Sequence, residues 1–426
     1  MMLNNHFLSQ AYYKICPIII AIFAVLTTIL KGLQPISALG ITSYHIFAFV
    51  ALTIYLIIIK SPSFILNKTL VTFLFVCFLS LLFSPPARYF HAWERLGFYV
   101  LILGLCSPLI NNNILNSIRP SLWLILLWCF RMIALGSFIK LCYFWMIVDS
   151  YDDLRLHNFS GITSMGMALA PICSIVAIDY LWRLCTCKNY TYKFWGYALL
   201  LISSLIVTTQ AGSRIAVMGV IIASFILFFS LRKRIMHHMR KNLSIISCIL
   251  LLFITISPFI STSIFTKFRI AKTHNSITYS RDSKWSDRIY EFKSSPILGI
   301  GYSTQNTFSK DDKTIIMSSG NTEPGSLWLS LLSQTGIVGF MLIFFFNYQL
   351  YKRLLLVKKN IIGKINDRYL FISLLTFLNI HGIAEGWILY PGSCICYAYW
   401  LLAGVILGPK PKYFEFKGKY RLLLNN

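Results

Sequence analysis

Residues 195–231 read WGYALLLISSLIVTTQAGSRIAVMGVIIASFILFFSL: two apolar runs joined by the short turn Gln210-Ala211-Gly212-Ser213-Arg214. Arg214 is the only charge in the stretch. A helix needs about 20 mostly apolar residues to cross a bilayer. Two such runs set back to back across a glycine-containing turn predict a helical hairpin through a membrane. Working outward, the pattern repeats. Apolar runs fall at about 15–30, 40–59, 69–84, 96–110, 121–147, 162–182, 195–210, 215–231, 243–262, 326–350, 368–390 and 393–408.

Composition agrees with lipid as the main solvent. Of 426 residues, 57% are hydrophobic and 12% charged, and the mean hydropathy is +0.67. A soluble domain carries about 25% charged residues. The expected fold class is therefore an all-α polytopic membrane protein of about 12 helices. The expected division is helices 1–9 over 1–262, an outer loop over 263–325, helices 10–12 over 326–408 and a basic tail over 409–426. A dozen spans leave no room for a large soluble domain. The first apolar run has no small-residue cleavage site and is followed at once by others, so it reads as a retained span.

The 39 Lys and Arg against 14 Asp and Glu, net +25, would suggest nucleic acid in a soluble protein. Here they follow the positive-inside rule, and no nucleic-acid partner is expected. Arg232, Lys233, Arg234, Arg240 and Lys241 form one basic connector. Lys352, Arg353, Lys358, Lys359, Lys364 and Arg368 form another, and Lys410, Lys412, Lys417, Lys419 and Arg421 lie in the tail. With the runs counted above, all three segments share one side, the cytoplasmic one, and both termini lie there too. The opposite side then receives 85–95, 149–161, 208–214, 261–326 and 384–393. Asp149, Asp152 and Asp153 make an acidic cluster there, expected to be a solvated loop.

The positive-inside rule does not predict the basic residues left on that outer side: Arg88, Arg95, Arg155 and Arg214, with Arg281, Lys284 and Arg288 in the long loop. Long loops translocate regardless of charge, and arginines can contact headgroups; the alternative is a site for an anionic substrate. Residues 280–292 predict a short amphipathic helix. Trp285, Ile289 and Phe292 form its apolar stripe; Arg281, Lys284 and Arg288 form its basic stripe, with Asp287 and Glu291 able to brace them. Pro296 stops the helix, and Gly299 and Gly301 make a turn. Arginine suits phosphate because its planar fork donates two parallel hydrogen bonds and stays charged. Arg214 and Arg288 are the expected pair for a pyrophosphate. The cysteines mostly lie in apolar runs and read as small hydrophobes. The pairs Cys185/Cys187 and Cys394/Cys396 lack partner pairs at zinc spacing, so neither a metal nor another cofactor is expected.

Gly212-Ser213-Arg214 at a span start, Asp287-Arg288-Ile289 ahead of Ser295-Pro296-Ile297-Leu298-Gly299-Ile300-Gly301, and Gly336-Ile337-Val338-Gly339 in the next span resemble, in order and spacing, the O-antigen ligase and O-antigen polymerase superfamily. The resemblance is strongest over 208–339. It implies a GT-C-like, metal-independent glycosyltransferase of the bacterial inner membrane, working at its periplasmic face. The implied partners are a glycan on undecaprenyl pyrophosphate, membrane lipid and a chain-length regulator. It also implies that Arg214 and Arg288 stabilise the leaving pyrophosphate. Ligase members carry a histidine where this chain has Gly325, with Ser326 at the next position. That departure points toward polymerase-type members, with ligase as the alternative and a flippase of lipid-linked oligosaccharide as a second. The acceptor base is then expected at Glu323 or at Glu385. His381 lies one helical turn from Glu385 and is read with Arg281, Lys284 and Ser326 as substrate-binding.

Overall fold

The computed structural model describes residues 2–34, 43–60, 64–147, 159–187, 192–238, 272–273, 279–306, 325–356 and 367–408. Twelve α-helices are found among them. They are α1 (Met2–Lys31), α2 (Ser43–Lys60), α3 (Lys68–Phe83), α4 (Ala92–Cys106), α5 (Asn113–Ile147), α6 (Gly166–Thr186), α7 (Tyr192–Gln210), α8 (Arg214–His238), α9 (Tyr279–Ser294), α10 (Leu327–Leu356), α11 (Asp367–His381) and α12 (Cys394–Leu407). Five are long and apolar enough to cross a membrane, within α5, α6, α7, α8 and α10. Parts of α1, α2, α3 and α12 are shorter apolar helices. Side chains such as Phe75, Phe83, Trp195, Phe225 and Phe344 point outward and exposed. An outer surface of large apolar groups suits lipid, where water would penalise it. The apolar run at 243–262, the acidic cluster, Glu323 and the basic tail lie outside the described residues.

Helices rather than sheets follow from the solvent: in hydrocarbon each backbone N–H and C=O must be satisfied within its own segment. Helix ends need other partners. Arg119 supplies them at the end of α4. It is fully buried; its Nε donates to Leu105 O at 3.0 Å, and Nη2 donates to Ile110 O at 2.7 Å and Gly104 O at 3.3 Å. Nη1 donates to Asn116 Oδ1 at 3.0 Å. Gly404 of α12 passes so close that a Cβ there would lie 2.1 Å from Cys106 O. This explains why α4 stops at Cys106 rather than running to 110, and why α5 begins at Asn113, ahead of the apolar run at 121. Nearby, β1 (Ile65–Leu66) pairs antiparallel with β2 (Ile110–Asn111).

The connections sort into two ends. At the end just described lie 64–67, 104–119 and 404–408. At the other, Leu33 bridges Thr163, Phe159 N donates to Gln210 O at 3.3 Å, and Ser84 Oγ donates to Gly299 O at 3.3 Å. There too Tyr302 OH donates to Leu389 O at 2.8 Å, and Leu327 N donates to Gly382 O at 2.7 Å. The segments that meet at this second end are those the loop charges assign to the outer side. A buried ion cluster joins the bundle within: Asp179 of α6 accepts from Arg131 Nη2 of α5 at 2.6 Å and from Arg183 Nε at 2.9 Å.

Candidate functional site

The site is built on two glycine breaks that fit into each other. Gly336 interrupts α10 with φ 64° and ψ −170°. Gly299 and Gly301, after α9, have φ of 77° and 113°. Positive φ of this kind is cheap only for glycine. The approach is as tight as the dihedrals are unusual: a Cβ on Gly336 would sit 2.0 Å from Ile297 O, and one on Gly299 would sit 2.3 Å from Gln334 C. The break frees backbone groups of α10, and the turn takes them up. Ile337 N donates to Pro296 O at 2.9 Å, and Ile300 N donates to Ser333 O at 2.8 Å. Buried Gln334 fixes the loop beyond: its Oε1 accepts from Ser303 N at 3.1 Å, and its Nε2 donates to Thr304 O at 3.3 Å and Tyr390 OH at 3.4 Å.

The loop helix α9 spans Tyr279–Ser294, with one residue of the predicted apolar stripe displaced. Ile289 is 44% exposed, while Arg288 and Glu291 are each 1% exposed. Arg281, Lys284, Trp285 and Phe292 are half-buried, so the basic stripe packs on the protein beside the apolar one and only Ile289 of the latter turns outward. Arg281 forms an ion pair with Glu385, which follows α11. The Arg281 charge also acts on Arg214 at the start of α8 and on His381 at the end of α11. Arg214, Arg281, His381 and Glu385 therefore belong to one cluster. His381 is buried with no hydrogen-bond partner at Nε2, and Glu385 N donates to His381 O at 3.1 Å.

Arg288 has a different partner. Its Nη2 lies 2.9 Å from Glu291 Oε1 and donates to Asn306 O at 3.2 Å. Its Nε and Nη1, and Glu291 Oε2, are buried without partners. Burial pushes the Glu291 carboxyl up to about 7, against the pull of the Arg288 guanidinium and of the Asn306 N–H, which donates to Oε1 at 2.5 Å. Ser326 is taken up at the N-terminus of α10, where its Oγ accepts from Leu329 N at 3.4 Å. Lys284 lies against Gly325, where an added Cβ would fall 2.9 Å from the lysine Cβ. Trp285 Nε1 donates to Gly325 O at 3.1 Å. Glu323 lies outside the described residues.

Sequence reasoning did not single out Gln334, Tyr390 or the Arg131–Asp179 pair. Two signals were available: an amide, Gln334, midway along the apolar run 326–350, and charges inside predicted spans. Among the described residues no group of three His, Cys, Asp or Glu is placed to hold a metal ion. Of the cysteines, Cys77, Cys106, Cys173, Cys185 and Cys396 are buried free thiols.

Residues 197–344 match the family described as O-antigen ligase, a segment running from α7 through α8 and α9 into α10. No curated protein matches the chain. The match covers Arg214, Arg281, Arg288 and both glycine breaks, and over that segment the chain is similar to the O-antigen ligase and polymerase superfamily.

Proposed function

We propose that this protein polymerises oligosaccharide repeat units carried on undecaprenyl pyrophosphate, at the periplasmic face of the bacterial inner membrane. The product is an O-antigen, capsule or exopolysaccharide. The carrying observation is the cluster of Arg214, Arg281, His381 and Glu385 at the bundle end assigned to the outside, with Arg288 buried on the same loop helix. In the reaction an acceptor hydroxyl oxygen bonds to the anomeric carbon of the donor sugar. The bond from that carbon to the pyrophosphate oxygen breaks, and its electron pair leaves on the lipid pyrophosphate. Arg214 and Arg288 supply positive charge where the leaving group gains negative charge. The hydroxyl proton passes to a carboxylate, Glu385 or Glu323. No step calls on a metal. Membrane lipid surrounds the site, and a chain-length regulator is a further partner of such a polymerase.

The test is Arg214→Ala and Arg288→Ala, with polymer length read on a gel. Loss of one charged transition-state contact costs about 10²–10³ in rate, so both variants should lose the long-chain ladder. Unchanged ladders in both would discard the mechanism. The ligase reading has one observation in its favour, the description of the matched family; Gly325, where ligase members carry histidine, supports polymerase. Glycans of a deletion strain separate the two. Core capped with one repeat unit marks polymerase loss, and polymer stranded on the lipid carrier marks ligase loss.

A further inference from the structure

A concave site opens at the same end of the bundle as the arginine cluster. It is a cleft of about 360 Å³ between the start of α2, the start of α4 and the turn at Tyr390. That volume lies in the range of small-ligand sites. Its floor is aromatic. Phe98 stacks on Phe47 with centroids 3.6 Å apart and meets the edge of Tyr44 at 5.6 Å. Its rim is polar: Tyr44 OH donates to Glu94 Oε2 at 2.9 Å, and His91 Nδ1 lies 3.3 Å from Glu94 Oε1. Arg95 and Tyr390 also line it.

Two further observations mark the cleft as more than a surface dent. Among the described residues, the only non-glycine residues with positive φ are His91, at 48°, and Ser303, at 58°. His91 lines the cleft, and Ser303 Oγ accepts from Arg95 Nη1 at 3.3 Å. Such backbone strain persists only where surrounding structure enforces it, and it gathers at binding and catalytic sites. The cleft is also wired to the loop helix. Gln334 holds Ser303 N and Thr304 O, and Asn306, three residues past Ser303, accepts from Arg288.

The lining chemistry selects a ligand class. With Glu94 beside Arg95 the wall carries no net positive charge to hold a phosphate or an anionic headgroup, so the cleft differs in kind from the arginine cluster. A purely apolar tail would leave the Glu94 carboxylate and the Tyr44 phenol facing hydrocarbon, at a cost. A sugar ring satisfies both demands: its C–H face lies on aromatic rings, and its hydroxyls bond carboxylate, guanidinium and phenol. We propose that this cleft binds the hydroxyl-bearing acceptor saccharide, with Glu94, Arg95, Tyr44 and Tyr390 as its binding residues. The inference rests on the transferase reading above and adds where the second substrate sits.

The experiment measures binding, not turnover, so it stands apart from the gel assay. Purified full-length protein in nanodiscs is titrated with the repeat-unit oligosaccharide released from the host's own polysaccharide, and binding is followed calorimetrically. Glu94→Gln and Tyr44→Ala should each weaken binding by about tenfold, the scale of one lost hydrogen bond to a charged group. Tyr44→Phe, which keeps the ring, should weaken it less than Tyr44→Ala. Gly196→Ala, inside α7 and outside the cleft lining, should bind as the wild type does. Thermal unfolding of each variant shows that it is folded. The proposal is overturned if folded wild type does not bind the oligosaccharide, or if the cleft variants bind as tightly as wild type. It is equally overturned if adding phosphatidylglycerol to the nanodisc abolishes binding, because a lipid headgroup would then be the occupant. Intact polymer ladders in Arg214→Ala and Arg288→Ala, with cleft binding still sensitive to Glu94, would instead discard the transferase mechanism alone.

Discussion

Arg288 and Glu291 meet at 2.9 Å with side-chain exposures of 1% and 0%. Taking both charges out of water costs several kcal/mol per ion, which the pair repays only when all its atoms are bonded. Here Nε and Nη1 of the arginine and Oε2 of the glutamate are not. The pair is therefore a poor source of stability and fits a group held in reserve for an anion. Burial raises the Glu291 carboxyl to about 7, while an unfolded glutamate titrates near ~4.3. The folded state thus holds the proton more tightly than the unfolded one. The stabilising contribution is fully present below the unfolded value and is lost as pH rises through about 7. Glu291→Gln keeps the acceptor oxygen and removes the titration. Between pH 5 and pH 8 the wild-type unfolding temperature should fall by a few degrees more than that of Glu291→Gln. Parallel falls in the two proteins would show that Glu291 does not titrate in the fold. The spacing of Arg281, Lys284, Arg288 and Glu291 was legible in the chain, because helical periodicity is local. A pairing of Glu385 with one of the arginines was a reading the sequence allowed, but that its partner would be Arg281, across 104 residues, was not legible, because ion pairs between distant segments leave no local trace.

At the scale of elements, the decisive feature is the fit of the Pro296–Gly301 turn into the broken helix α10. Glycines at 299, 301 and 336 were visible in the sequence, and a turn after Pro296 was expected. The break at Gly336 was not, because the polar stretch Ser333-Gln334-Thr335-Gly336 inside the apolar run 326–350 is equally compatible with an unbroken span. Only the packing of Ile297 O against Gly336 requires a residue without Cβ. The same tertiary demand explains α9. Its pattern suggested an apolar face for burial, but the turn anchors its end so that Arg288 and Glu291 face inward and Ile289 faces outward. Gly336→Ala should therefore be severe. It places a side chain at φ 64° and a Cβ 2.0 Å from a carbonyl oxygen, so a loss of about 3 kcal/mol or more is expected. Gly196→Ala is the matched comparison. Gly196 lies inside α7 with nothing within 4 Å of its added Cβ, so it should be neutral or stabilising by up to ~1 kcal/mol. Detergent-resistance or thermal unfolding of the two variants reads the contrast directly. Equal behaviour would mean that the interlock of α10 with the turn is not tight.

For the whole molecule, sidedness decides whether the site can meet its substrate. The lopsided charge, 39 Lys and Arg against 14 Asp and Glu, orients the bundle only through its short connectors. The fold adds an independent constraint, since antiparallel succession of helices brings connections to one end or the other. Gln34 and Asn306 fall at the end that holds the arginine cluster and the cleft, whereas Lys68 and Asn113 fall at the end capped by Arg119. Each of these four residues is exposed, so cysteines placed there should be reachable without unfolding. The chain has 11 native cysteines, so the measurement needs a cysteine-free background. A membrane-impermeant maleimide applied to intact spheroplasts should label Gln34→Cys and Asn306→Cys at once. It should label Lys68→Cys and Asn113→Cys only after permeabilisation. The reverse pattern would turn the arginines toward the cytoplasm. A glycan displayed on the outer leaflet would then never reach Arg214, and polymerisation at the outer face would fall with the orientation, whatever the point variants did.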